Sequence, residues 1–330
     1  MAVLSEQVLR DLERLWEELA RHGTGQPGVL RACALTLIVV CDASDDAGNI
    51  GATLAELMER HPARAVLLRA GEEVAEPEAR VFAHCWLPRN ERSEICSEQI
   101  EITANRARLG EIVPVLVALA APDLPVVVWW RSLQLFLGPD RDRFTALQPR
   151  MILDSARTES LEALFESMAA LLAAGHAVGD LAWARLTPLR EALAQAYECA
   201  RPRLPLAQIQ GAAVSFADPA DMSGACYVAA WIAETLGWSI GDGRLRIEAR
   251  RQEQAGRRMA VRLEGRPCSI TVEWRTDSTL ETRIGDALSR TSFPPPSEAD
   301  LLAEELSLGA RDRVYRRCLS RAAEATRALS

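Results

Sequence analysis

Two hydrophobic periodicities divide this chain. In the first half apolar residues come in unbroken runs between helical stripes, and in part of the second half they alternate one by one with polar residues. Ser5 to His22 carries Val8, Leu12, Leu15, Trp16 and Leu19 at helical spacing, which predicts an amphipathic helix ended by a flexible loop, Gly23-Thr-Gly-Gln-Pro-Gly28. Ala32–Cys41 is apolar without alternation, so it predicts a strand covered on both faces. A helix from Asp45 to Arg60, a stop at His61-Pro62 and a strand at Ala65–Leu68 complete a β-α-β unit, with the strands expected to be parallel. Val81–Leu87 and Ile95–Thr103 predict two more strands. In the second, Ile100 and Ile102 alternate with Glu101 and Thr103, which suggests one exposed face near a sheet edge. Glu111–Ala121 predicts a helix. Pro122-Asp-Leu-Pro-Val-Val-Val-Trp-Trp-Arg131 predicts a β-branched strand that opens at a proline. Residues 137–150, rich in Gly, Pro and charge, predict a surface loop. Met151–Asp154 predicts a short strand and Glu159–Gly175 a helix.

Ala177–Asp180 reads as a joint between domains. A helix from Asp180 to Cys199 follows, which Pro188 should kink or divide. Leu206–Phe216 predicts a strand. Asp218–Leu236 predicts a helix with acidic and serine caps. Then the period becomes two: Leu245, Ile247 and Ala249; Met259, Val261 and Leu263; Ile270, Val272 and Trp274; then Leu280 and Ile284. This predicts an antiparallel meander with one polar face. Ser292-Phe-Pro-Pro-Pro-Ser297 breaks it, and helices Glu298–Leu308 and Asp312–Ala328 close the chain. The expected architecture is an N-terminal α/β domain with a mixed, helix-flanked sheet (1–176) and a C-terminal α+β domain with a mainly antiparallel sheet (177–330).

Bulk properties narrow the function. The chain has 330 residues, 48% hydrophobic and 25% charged, with a net charge of −8. That balance argues against broad nucleic-acid binding, which needs clustered Lys and Arg. No apolar run reaches the length of a membrane span, and the first residues lack the basic and apolar regions of a secretory signal, so a cytoplasmic protein is expected. Eight cysteines, Cys33, Cys41, Cys85, Cys96, Cys199, Cys226, Cys268 and Cys318, are scattered without a C-x-x-C. Reduced, buried thiols are expected for most of them.

Catalytic motifs do not emerge. The turn after the first apolar strand reads Cys41-Asp-Ala-Ser-Asp-Asp-Ala-Gly48, with no G-x-G-x-x-G. Asp42, Asp45 and Asp46 would repel a pyrophosphate there; they suit a helix cap or, alternatively, a divalent cation. His22, His61, His84 and His176 show no metal-ligand spacing. No catalytic residue, cofactor or metal is therefore expected. Trp129 and Trp130, adjacent on a strand, must point to opposite faces. With Arg131 they are either packing residues or contacts for a protein partner. Trp183, Arg185 and Arg190 are spaced to share or neighbour one helix face and have the same two readings. Arg131, Arg141 and Arg143 flank a strand end where an anionic ligand could sit, so a sugar-phosphate or nucleotide sensor or enzyme is the alternative function.

Several segments together resemble the glucose-6-phosphate dehydrogenase assembly protein family, OpcA. They are Arg31–Cys41, His61-Pro-Ala-Arg64, Cys96-Ser-Glu98, Pro122–Trp130, Asp180-Leu-Ala-Trp-Ala-Arg-Leu-Thr-Pro-Leu-Arg-Glu191, Ala229–Trp238, and Leu301–Tyr315 with its Glu-Glu-Leu and Arg-Asp-Arg-Val-Tyr. They follow the family's order over nearly the whole chain, and the two Trp-bearing motifs are the specific ones. Leu189 departs from the pattern, since many members carry Trp there. The resemblance implies an α/β domain followed by a second domain, both without assigned catalysis. It also implies a protein partner, glucose-6-phosphate dehydrogenase, whose active oligomer the chain would promote in the oxidative pentose phosphate pathway.

Overall fold

The computed structural model describes residues 2–22, 29–72, 74–87, 94–250, 258–308 and 312–329. The expected loop at 23–28 lies outside them. Two compact units form. The first holds Met1–Leu153, His176–Gly179 and Glu298–Ser307; the second holds Asp154–Gly175, Asp180–Ser297 and Leu308–Ser330. No described helix is long and apolar enough to cross a membrane.

The first unit opens with helix α1 (Ala2–His22), then β1 (Val29–Arg31) and β2 (Leu35–Asp42). Helix α2 (Ala47–Arg60) leads to β3 (Ala63–Gly71), and β2 and β3 pair in parallel, as the β-α-β pattern requires. Strands β4 (Glu78–Trp86) and β5 (Glu94–Asn105) pair antiparallel. Then come α3 (Val113–Leu119), β6 (Val126–Trp130), the short α4 (Leu133–Phe136), β7 (Arg150–Leu153) and, after a long excursion, β8 (Ala177–Asp180). The eight strands make one sheet in the order β1-β5-β3-β2-β6-β7-β8, with β4 also on β5. Central β2 is buried along almost its whole length, which explains its unbroken apolar run.

Three expectations change here. Strand β5 is interior, paired with β4 on one edge and with β3 and β1 on the other. Its alternation instead marks one half-covered face. Residues Pro139–Leu147 are 3₁₀ turns rather than an open loop, because Phe144 is buried beneath them. Ala177–Asp180, expected as a joint, is a sheet strand, and the division between the two units falls within it, between Gly179 and Asp180. Cys85 and Cys96, directly opposite in the β4–β5 register, are joined in a disulfide, so two of the expected thiols are absent. Glu94 also lies within metal-ligand reach of both sulfurs, but they are bonded to each other.

The second unit begins with α5 (Leu161–Ala173), followed by α6 (Leu181–Arg185) and α7 (Thr187–Ala200). The break between α6 and α7 falls at Leu186, where Pro188 occupies the first turn of the new helix. Strand β9 (Ile209–Phe216) begins three residues later than expected, since Leu206–Gln208 forms a 3₁₀ turn. Helix α8 (Met222–Leu236) packs small residues, Gly224, Ala225, Ala229 and Ala230, into the interior. Strands β10 (Leu245–Ala249), β11 (Met259–Gly265), β12 (Ile270–Thr276), β13 (Thr279–Ile284) and β14 (Ala287–Ser292) complete a sheet ordered β10-β9-β11-β12-β13-β14. Only β10 and β9 pair in parallel; the other pairs are antiparallel. Helix α9 (Glu298–Leu308) then returns to the first unit, and α10 (Arg313–Leu329) packs on α5 and α8 in the second.

Candidate functional site

In the first unit the strand order reverses around β2, which lies between β3 and β6. Open α/β sheets bind ligands at the carboxyl ends of strands at such a reversal. Here the chain's own side chains fill the place. Arg131 and Ser132 donate their backbone N–H groups to the Val40 carbonyl, at 2.9 and 3.2 Å, and lock the end of β6 to β2. Trp129 and Trp130 point to opposite faces and are each about 1% exposed. Trp130 packs edge-on against Phe136 and Phe144, with ring centroids 5.7 and 4.9 Å away. The Arg131 guanidinium lies 4.9 Å from the Trp129 ring and donates to Glu298 Oε2 at 2.5 Å. This is the packing reading of the Trp pair, with a cation–π contact added.

The three aspartates at and just past the end of β2 also serve the chain. Asp46 caps α2, accepting from the N–H groups of Gly48 and Asn49 at 2.9 and 3.3 Å. Asp45 accepts from the Asp42 N–H at 3.0 Å, and Asp42 pairs with Arg106. Burial, and then the Asp45 charge, push the Cys41 thiol up to about 12, so at neutral pH it is not a thiolate nucleophile. Arg141 and Arg143, the other candidates for an anion site, face Asp142 at 2.7 Å and Asp140 at 3.6 Å.

In the second unit the polar groups around helices α6 and α7 are largely buried and hydrogen-bonded. Asp180 caps α6: its Oδ1 accepts from the N–H groups of Ala182 and Ser155 at 2.9 and 3.0 Å, and its Oδ2 accepts from the Tyr227 hydroxyl at 2.8 Å. Complete burial, and then the neighbouring Asp154 charge, raise the Asp180 carboxyl to about 6. Trp183 is about 1% exposed; its Nε1 donates to Asp312 Oδ2 at 2.9 Å, and its ring meets Tyr227 and Tyr315. Arg190, on the far side of the break at Leu186, covers the indole at 3.9 Å. Arg185 makes a two-pronged bond to Asp154, at 3.1 and 2.8 Å.

Sequence reasoning missed Asp180, Tyr227, Asp312 and Tyr315 as one cluster. Asp312 Oδ1 accepts from the Tyr315 N–H at 2.9 Å, so the Asp180–Glu191 stretch meets the start of the last helix through Trp183. The available signal was an Asp one residue ahead of the last helix, which marks a cap. Elsewhere in this unit an apolar hollow of about 290 Å³ is lined by Leu193, Tyr197, Leu206, Trp231 and Leu263, with Glu198 at its edge.

Comparison with known proteins places both halves of the chain together. The family model described as glucose-6-phosphate dehydrogenase subunit N-terminal domain matches residues 54–170, and the one described as its C-terminal domain matches 176–319. A relative in Nostoc punctiforme, named as an OxPP cycle protein OpcA, is 28% identical over 191 residues, covering 56% of this chain and 40% of its own. One of the same name in Synechocystis sp. is 25% identical over 168 residues, covering 49% and 34%. The chain spans less than half the length of these curated relatives. Among solved structures, a mutant of KijD10, a 3-ketoreductase from Actinomadura kijaniata, matches with a TM-score of 0.49 and 12% identity, covering 89% of this chain and 96% of that one. At that level the likeness says nothing of chemistry.

Proposed function

This chain belongs to the OpcA family of glucose-6-phosphate dehydrogenase assembly proteins, and from that membership we propose that it binds the dehydrogenase and favours its active oligomer without catalysing a reaction itself. One observation carries the non-catalytic part of this reading. At the strand ends where a doubly wound sheet would hold a cofactor, Asp45 and Asp46 cap the chain's own N–H groups and Arg131 is held by Glu298. The partner's pathway would be the oxidative pentose phosphate pathway, which the names of the relatives support.

Mechanistically, a binding protein activates an enzyme only by preferring the active state. A tenfold shift in the equilibrium requires about 1.4 kcal/mol of difference in affinity. The test mixes the purified chain with the cognate dehydrogenase. Co-migration on a sizing column, with a larger active oligomer and a lower KM or higher kcat, is the expected result. Separate elution with unchanged kinetics would refute the proposal.

A further inference from the structure

Helix α10 sets cations in its first turns, against its own dipole, while Arg327 in its last turn suits it. It opens at Arg313, and Asp312 caps it through the Tyr315 N–H. Arg313, Arg316, Arg317 and Ser320 follow the spacing of one outer stripe and are all exposed, while Tyr315, Cys318, Leu319 and Ala322 are buried. The N-terminus of a helix is its positive end, where nearby cations are unfavourable. Helix α9 follows the ordinary rule and opens with Glu298 and Asp300.

Local pairing does little to offset this arrangement. Among the described residues neither Arg313 nor Arg316 has a carboxylate within ion-pair distance. Arg317 lies 3.6 Å from Glu234 with its side chain 70% exposed, and Arg321 holds the same carboxylate more closely, at 3.0 Å. Val314, 44% exposed, adds an apolar contact beside the stripe. Arg190 stands over Trp183, whose indole is bonded to Asp312, so a further guanidinium lies near the start of α10. This basic face belongs to a chain with a net charge of −8.

We infer that the Arg313–Arg316–Arg317 stripe docks an acidic segment of a protein partner. The inference rests on the reading that the chain binds the dehydrogenase, and it assigns the face that meets it. Charge complementarity selects the occupant: three guanidiniums within two helical turns match two or three carboxylates. A nucleic acid would meet the acidic remainder of the chain as well as the stripe, and like charges would repel it.

The experiment measures association of the full chain with the dehydrogenase and, separately, with a fluorescent oligoglutamate peptide, at low and high salt. Wild type is compared with the triple variant Arg313→Glu/Arg316→Glu/Arg317→Glu. A control variant, Arg327→Glu, changes a surface arginine at the other end of the helix. The triple variant should associate at least tenfold more slowly at low salt with both probes and lose most of the salt dependence, and the control should not. Its Tm should be equal or higher, because acidic residues suit a helix N-terminus, and this separates lost binding from lost folding. If wild type binds the peptide but not the dehydrogenase, and the triple variant binds neither, the stripe stands and the dehydrogenase reading falls. Wild-type rates in the triple variant, or tighter binding of wild type to a DNA duplex than to the peptide, would overturn the inference.

Discussion

Asp180 shows how much one buried carboxyl can decide. It accepts three hydrogen bonds with no exposure, and its pKa stands at about 6 against an ordinary 3.8. Because the folded chain holds this proton more tightly than the unfolded one, the associated stability is complete below about pH 4. It is lost as pH rises through about 6. Asp180→Asn removes the titration. Relative to wild type, the variant should therefore gain by a few kcal/mol between pH 4 and 7, read from urea unfolding at several pH values. A constant difference across that range would show that the carboxyl does not titrate there. Glu98 is the contrasting case. Its carboxylate, 2% exposed, accepts from Arg64 Nε at 2.6 Å and from Trp16 Nε1 at 2.7 Å, and pairs with Arg31. Glu98→Ala leaves the buried Arg64 without its counter-charge and should cost about 3–5 kcal/mol in urea unfolding. Neither role could be read in the sequence, where Glu98 is one polar residue on a strand and its bonded partners lie 34 and 82 residues away.

At the scale of elements, backbone conformation can be tested apart from packing. Helix α8 ends at Gly237, whose φ of 65° is left-handed, and the Trp238 N–H returns to the Ala233 carbonyl. An added Cβ would meet nothing within 4 Å, so Gly237→Ala probes the dihedral alone. It should cost about 1–2 kcal/mol with an unchanged urea slope. Elements whose environment is uniform were legible in the sequence. Strand β2 is apolar because both faces are covered, and β11 to β13 alternate because one face is polar. The opposite facing of Trp129 and Trp130 followed from the strand period, whereas the approach of Arg190 to Trp183 spans the break between α6 and α7. The 3₁₀ turns at 139–147 were not legible, since a single buried aromatic, Phe144, outweighs a charged surrounding. Nor was the interior place of β5, or the Cys85–Cys96 bond, because strand order and register come from distant pairings.

At the scale of the whole molecule, chain order and structural membership part company. Residues 298–307 belong to the first unit although most of the second separates them in sequence from the rest of it. Helix α9 brings Glu298 to Arg131, Asp300 to Arg60 and Glu305 to Arg150, and Glu305 also packs against Gly179 of β8. The side chains of Arg131 and Arg150 are only 8% and 13% exposed, so removing α9 strands two largely buried guanidiniums. A fragment comprising residues 1–176 would lack α9 and all of β8, and would keep α5 without α10, on which it packs. Such a fragment should unfold at lower urea than the first unit does in the full chain, with a broader transition. Joining residues 177–179 and 298–308 back through a flexible linker should recover most of the loss, whereas the same linked chain with Glu298→Ala and Glu305→Ala should not. A 1–176 fragment that unfolds as sharply and at the same urea concentration as the intact protein would show that the ion pairs from α9 contribute nothing to this unit.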